Sequence, residues 1–90
     1  MKIIFYGSIL EYTNNEKSYE PSDNGGNIAT VRELIENLCL RYGEQFKEFL
    51  LGEETCFFLV NGTGLMMTGG MNTKLQCGDK IEVLPFADAG

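Results

Sequence analysis

The stretch from Thr30 to Tyr42 does most to limit what this chain can become. Val31, Leu34, Ile35, Leu38 and Tyr42 recur at helical spacing and form a single apolar stripe, with Cys39 beside it. Arg32, Glu33, Glu36, Asn37 and Arg41 lie on the other sides. Thr30 and Glu33 have the Thr-x-x-Glu spacing of a capping box, which satisfies free N–H groups at a helix start. Gly43 supplies the stop. A helix with one apolar face needs one apolar surface to cover, and the rest of the chain offers it as short alternating segments.

The first of these segments runs from Lys2 toward Leu10, and a strand is predicted over Lys2–Ile9. Ile3 and Phe5 share one face; Ile4 and Tyr6 share the other. A turn at Asn14-Asn15 leads to a short second strand, Ser18–Glu20, before Pro21 and the loop from Ser22 to Asn27. After the helix, Phe46, Phe49 and Leu50 have near-helical spacing and suggest a short helical turn against the sheet end. Thr55–Val60 reads as a strand, and Asn61-Gly62 is a hairpin signal. A short returning strand is expected over Thr63–Met67, then a turn at Thr68-Gly69-Gly70. Lys80–Leu84 is the last strand, with Ile81 and Val83 on one face and Lys80, Glu82 and Leu84 on the other. The expected fold class is α+β, with one main helix across a mixed sheet of four to five strands, and residues 1–90 as a single domain.

One helix covers one face of a sheet. If Ile3, Phe5, Phe58, Val60, Ile81 and Val83 turn inward, then Ile4, Tyr6, Phe57, Leu59 and Leu84 share the outer face. Five large apolar side chains together exceed the scattered exposure normal on a monomer, so this face is a candidate docking surface.

Composition narrows the function by exclusion. Thirteen acidic against seven basic residues give a net charge of −6, which disfavours nucleic acid and anionic membranes. No apolar run reaches the length of a membrane span, and no signal peptide is evident, so a cytoplasmic protein is expected. Cys39, Cys56 and Cys77 form no C-x-x-C pair, and the chain has no histidine, so neither a metal site nor a disulfide framework is expected. Gly25-Gly26 lacks the Lys-Ser/Thr of a phosphate-binding loop. Without a base beside a nucleophile, the chain is not expected to be an enzyme in its own right.

The last residues, Cys77 to Gly90, carry the strongest hint. Gly78-Asp79 makes a turn into the Lys80–Leu84 strand; Pro85 is expected to end regular pairing; Phe86, Ala87, Asp88, Ala89 and Gly90 follow as a short tail of mostly small residues. This arrangement resembles the ubiquitin-like sulfur carriers, the small subunit of molybdopterin synthase and the sulfur carrier of the thiamine pathway. Those proteins end in Gly-Asp, an alternating strand, proline and a terminal Gly-Gly. Gly78, Asp79, Ile81, Val83, Pro85 and Gly90 match in order, while Ala89 stands where the family has glycine. The Lys2-Ile3 opening, the Thr30 helix start and the Val60-Asn61-Gly62 turn extend the resemblance over nearly the whole chain.

The resemblance implies a β-grasp, or ubiquitin-like, topology in which the first and last strands lie side by side and parallel. It implies that the Gly90 carboxylate is the reactive group, adenylated with ATP by a partner adenylating (E1-like) enzyme and converted to a thiocarboxylate. The sulfur would then go to a cofactor precursor, of molybdopterin type first, on a molybdopterin synthase large subunit or an equivalent acceptor. Residues Pro85 to Ala89 would enter the partner, and the carrier would bind no cofactor of its own. Two other readings fit the same residues: a protein-binding module with a chemically idle tail, and a ubiquitin-like modifier conjugated through Gly90.

Overall fold

The helix forms where its capping box and apolar stripe place it. In the computed structural model, which describes residues 1–21, 28–51, 56–76 and 78–85, α1 spans Val31–Tyr42 with Thr30 as its N-cap. The Glu33 N–H donates to Thr30 Oγ1 at 3.3 Å, and the Thr30 N–H donates to Glu33 Oε1 at 3.1 Å. Both halves of the capping box are therefore closed. Val31, Leu34, Ile35 and Leu38 are buried. The Val31 N–H donates to the Thr73 carbonyl and the Leu75 N–H to the Ala29 carbonyl, which pins the helix entry to the segment leading into the last strand. Ile28 and Leu75, both buried, close that corner.

Beneath α1 lies a five-stranded mixed sheet: β1 (Lys2–Phe5), β2 (Ser18–Tyr19), β3 (Cys56–Val60), β4 (Thr63–Gly64) and β5 (Lys80–Pro85). The strand order is β2-β1-β5-β3-β4. β1 and β5 run parallel, with Ile3 opposite Ile81 and Phe5 opposite Val83. The other pairs are antiparallel. Ile3, Phe5, Phe58, Val60, Ile81 and Val83 all turn inward and are buried. Each such side chain taken from water contributes about 1.5–3 kcal/mol, which is why the alternation of these strands fixes their facing. One main helix over a mixed sheet with a parallel first and last strand is the β-grasp arrangement expected.

Four boundaries differ from the sequence reading, the smallest at β2, which stops at Tyr19 rather than Glu20. The first strand ends at Phe5 rather than Ile9, because Gly7 takes a φ of +56° and turns the chain into a 3-10 turn over Gly7–Glu11. Ile9 stays in the core by this turn, fully buried. The expected strand Thr63–Met67 pairs only over Thr63–Gly64; α3 (Leu65–Thr68) follows and lays Leu65 against the edge of the core. At the other end, pairing continues through Pro85, which is buried opposite Cys56. β1 no longer flanks the sheet there, so Pro85 has a paired neighbour on the β3 side alone, an edge-like place where a missing N–H is tolerated.

The short helical turn expected after Gly43 is a full helix, α2 (Glu44–Leu51). Its Phe46 is fully buried and meets Phe5 and Tyr42 edge-on at 5.9 and 5.5 Å between ring centroids. Tyr12 stacks on Phe49 at 4.7 Å. α2 therefore packs on the same side of the sheet as α1 and does not cover the outer face. Among the described residues, no helix is long and apolar enough to cross a membrane.

A polar clasp sits over this aromatic cluster. The Glu16 carboxylate accepts from Tyr42 Oη at 2.8 Å and from Nε and Nη2 of Arg41 at 3.3 and 3.0 Å. The Arg41 guanidinium lies 4.2 Å from the Tyr19 ring centre. The Tyr42 hydrogen bond, and then Arg41, hold the Glu16 carboxyl below its ordinary value of 4.5. Burial first, then Glu16, pushes the Tyr42 phenol up to about 12.

Two outcomes follow from this architecture. Thr30→Ala removes the cap hydroxyl and is expected to lower stability by about 1 kcal/mol, read as a lower urea midpoint at unchanged slope. Because the folded-state value of Glu16 is depressed, its contribution is complete above the ordinary 4.5 and is lost as pH falls through the lower folded value. Unfolding curves collected across that acid range are expected to show a flatter pH dependence for Glu16→Gln than for the wild type.

Candidate functional site

The outer face of the sheet is built by strand register. Ile4, Glu82, Leu59 and Gly64 lie in one row across β1, β5, β3 and β4. One step toward the C-terminal end of β5, Leu84 lies opposite Phe57. Tyr6 continues β1 alongside, its N–H donating to the Val83 carbonyl at 3.1 Å. All five docking residues expected from alternation thus share this face. Phe57 is 44% exposed and Tyr6 37%, while Ile4, Leu59 and Leu84 are half-buried.

Glu82 stands among them and was not singled out from the sequence. The signal was present, since alternation puts Glu82 on the face of Leu84. What the sequence does not reveal is its partner: Tyr6 Oη donates to Glu82 Oε2 at 2.8 Å. That hydrogen bond, followed by burial and the charge of Glu82, holds the Tyr6 phenol above its ordinary value. Lys80 Nζ is 3.9 Å from the same oxygen.

A side-chain knot at one end of this face fixes how the strands meet. Asn61, at a φ of +52°, and Gly62, at +85°, make the turn from β3 to β4. Asn61 Oδ1 accepts from the Lys80 N–H at 2.9 Å, and Asn61 Nδ2 donates to Asp79 Oδ1 at 3.0 Å. The other Asp79 oxygen accepts from the Gln76 N–H at 2.7 Å, and the Asp79 carbonyl accepts from the Lys2 N–H at 3.0 Å. Three strands are tied at the start of β5 by two short side chains and the Asp79 backbone carbonyl.

Pro85 is the last described residue of the expected tail and closes β5 beside the apolar end of the face. Phe86, Ala87, Asp88, Ala89 and Gly90 lie outside the described residues, as does Cys77. Elsewhere the chemistry is sparse. Cys39 and Cys56 are free thiols, and burial, helped by Glu44, pushes the Cys39 thiol up, away from a nucleophilic thiolate. Among the described residues, no group of three or more His, Cys, Asp or Glu side chains could hold a metal ion. An open depression of about 430 Å³ lies at the far end of the parallel pair, lined by Met1, Lys2, Ile4, Glu20, Gly78, Asp79 and Lys80. It holds no nucleophile beside a base.

Comparison with known proteins agrees with this geometry. A model of the ThiS family matches residues 3–88. The fold is similar to CysO of Mycobacterium tuberculosis, with a TM-score of 0.78 at 21% identity, over 93% of this chain and 96% of that one. It is similar to a chain of the Amycolatopsis orientalis BexX/CysO complex, with a TM-score of 0.74 at 23% identity, over 93% and 92%. A Pyrococcus furiosus protein assigned as subunit 1 of a molybdopterin converting factor gives a TM-score of 0.66 at 27% identity, over 93% of both chains. A search of curated proteins by sequence returns no match.

If the outer face is a surface rather than part of the core, removing its apolar groups costs little. Phe57→Ser and Leu59→Ser are each expected to leave a cooperative transition in a denaturant titration. A loss above about 3 kcal/mol at either position would place that residue in the core.

Proposed function

Because the chain belongs to the ThiS family of ubiquitin-like sulfur carriers, we propose that it carries sulfur on the carboxylate of Gly90. A carboxylate is a poor electrophile. A partner enzyme adenylates it with ATP, forming the acyl-adenylate and releasing pyrophosphate. Hydrosulfide, or an equivalent donor at the same oxidation level, then attacks the carbonyl carbon and AMP leaves, giving the thiocarboxylate. The carrier passes this sulfur to a cofactor precursor, of molybdopterin type by its likeness to the Pyrococcus protein. It works in the cytoplasm, binds no cofactor itself and supplies no acid or base.

The observation that carries this reading is the place of β5. The strand preceding the tail is paired on both sides at the centre of the sheet and ends beside the exposed Phe57 and Tyr6. A rigid, apolar face next to the point where the tail departs suits a protein that is itself a substrate. Remote contacts hold the domain while the end group reacts. The first partner is the adenylating enzyme and the second an acceptor of the synthase large-subunit kind; the complex of CysO with BexX supports docking of this sort in a similar fold.

Ala89 favours a second reading, a protein-binding module with an idle tail. One extra methyl in a narrow channel costs about 1–3 kcal/mol by analogy with overpacking. That slows the step roughly tenfold to a hundredfold without abolishing it. The test is intact-mass spectrometry after incubation with the adenylating enzyme, ATP and a sulfur source. Wild type is expected to gain the mass difference between one sulfur and one oxygen, and deletion of Gly90 to abolish the gain. Ala89→Gly is expected to react faster. Absence of the shift in both wild type and Ala89→Gly would favour the idle tail.

A further inference from the structure

The outward positions of β1, β3 and β5 are Lys2, Ile4, Phe57, Leu59, Lys80, Glu82 and Leu84, and Glu82 is the one carboxylate among them. Its position is unusual for an acid. Ile4 and Leu59 flank it in register on either side, and its side chain is only 18% exposed. The Tyr6 hydroxyl donates to Oε2 at 2.8 Å and so anchors that oxygen. Among the described residues no hydrogen bond reaches the other oxygen, Oε1. The nearest cation, Lys80 Nζ, lies 3.9 Å from Oε2, the oxygen already engaged, and its side chain is 55% exposed, so this pair is weak.

A partner that covers this face strips the remaining water from Glu82. Burying a carboxylate with an unsatisfied oxygen is costly, and an apolar surface offers nothing in return. The face therefore rejects a purely apolar partner and rewards one that brings positive charge to its centre. Resting on the carrier reading above, we propose that Glu82 selects the partner: it receives a lysine or arginine side chain from the docking protein at Oε1, in the middle of an otherwise apolar contact, with Tyr6 as the residue that positions it. The raised Tyr6 phenol stays protonated at neutral pH and so remains a donor. The net charge of −6 acts in the same direction at longer range, steering the domain toward a basic surface.

The experiment is ATP–pyrophosphate exchange catalysed by each adenylating enzyme of the source genome, with this protein as the varied substrate. Glu82→Gln keeps the shape and the Tyr6 hydrogen bond but removes the charge; it is expected to raise KM about tenfold, and Glu82→Lys about a hundredfold, by like-charge contact. The loss falls on KM rather than kcat because the tail is untouched. Tyr6→Phe frees the carboxylate and is expected to raise KM about threefold. Added salt is expected to raise KM for the wild type and to have a weaker effect on Glu82→Gln. Thermal unfolding checks that each variant is folded, and the isosteric Gln variant keeps the test open if Lys is not tolerated. Exchange with the same KM in wild type, Glu82→Gln and Glu82→Lys overturns this inference and leaves the carrier reading standing. A fall in kcat at constant KM also overturns it, by moving Glu82 from docking to chemistry. No exchange with wild type and any of the enzymes overturns the carrier reading, and this inference with it.

Discussion

The parallel pairing of β1 with β5 is the contact on which the rest of the molecule depends. It joins the two ends of the described chain, with Lys2 opposite Lys80 and Phe5 opposite Val83. Ile3, Phe5, Ile81 and Val83 make its inner side, and α1 lies over them. Its outer side holds Ile4, Tyr6, Glu82 and Leu84. Because the period of a strand is two, burial on one face determines what the other presents. The core and the outer face are thus two consequences of one register, and a slip of one residue would bury Glu82 and expose Ile81.

Much of this was legible because local signals and global packing agree. The Thr30–Glu33 box, the Val31–Tyr42 stripe and the alternation of Cys56–Val60 and Lys80–Leu84 all ask for the structure that forms. Asn61-Gly62 asked for a turn and makes one. The failures came where two patterns compete. Between Lys2 and Leu10 the apolar spacing reads equally as a strand, and only the left-handed Gly7 reveals the 3-10 turn that brings Ile9 inward by another route. From Thr63 onward, Leu65 finds the core from a helical turn as readily as from a strand. Ile28 and Leu75 belong to no periodic segment, so their burial depends on a tertiary contact that sequence spacing does not encode.

The candidate site divides in the same way. Ile4, Tyr6, Phe57, Leu59 and Leu84 could be placed on one face by counting alternate residues. The Tyr6–Glu82 hydrogen bond could not, because its partners are 76 positions apart and meet only through the parallel register. Polar pairs between distant strands carry no mark in either segment alone. The Asn61–Asp79 contact is of the same kind, 18 positions apart and joining two turns that each look ordinary.

The parallel pair also determines when the domain can exist. β1 is made first on the ribosome, yet its place in the sheet is beside β5, and β3 needs β5 on its other edge. Until residues 80–85 have emerged, β1 can pair with the two-residue β2, and β3 with the two-residue β4, and neither hairpin encloses a core. Contacts of such sequence separation form late and together. An incomplete translation product therefore lacks the middle of its own sheet and presents no ordered outer face. The outer face therefore exists only in chains that have been read through β5, the strand before the tail.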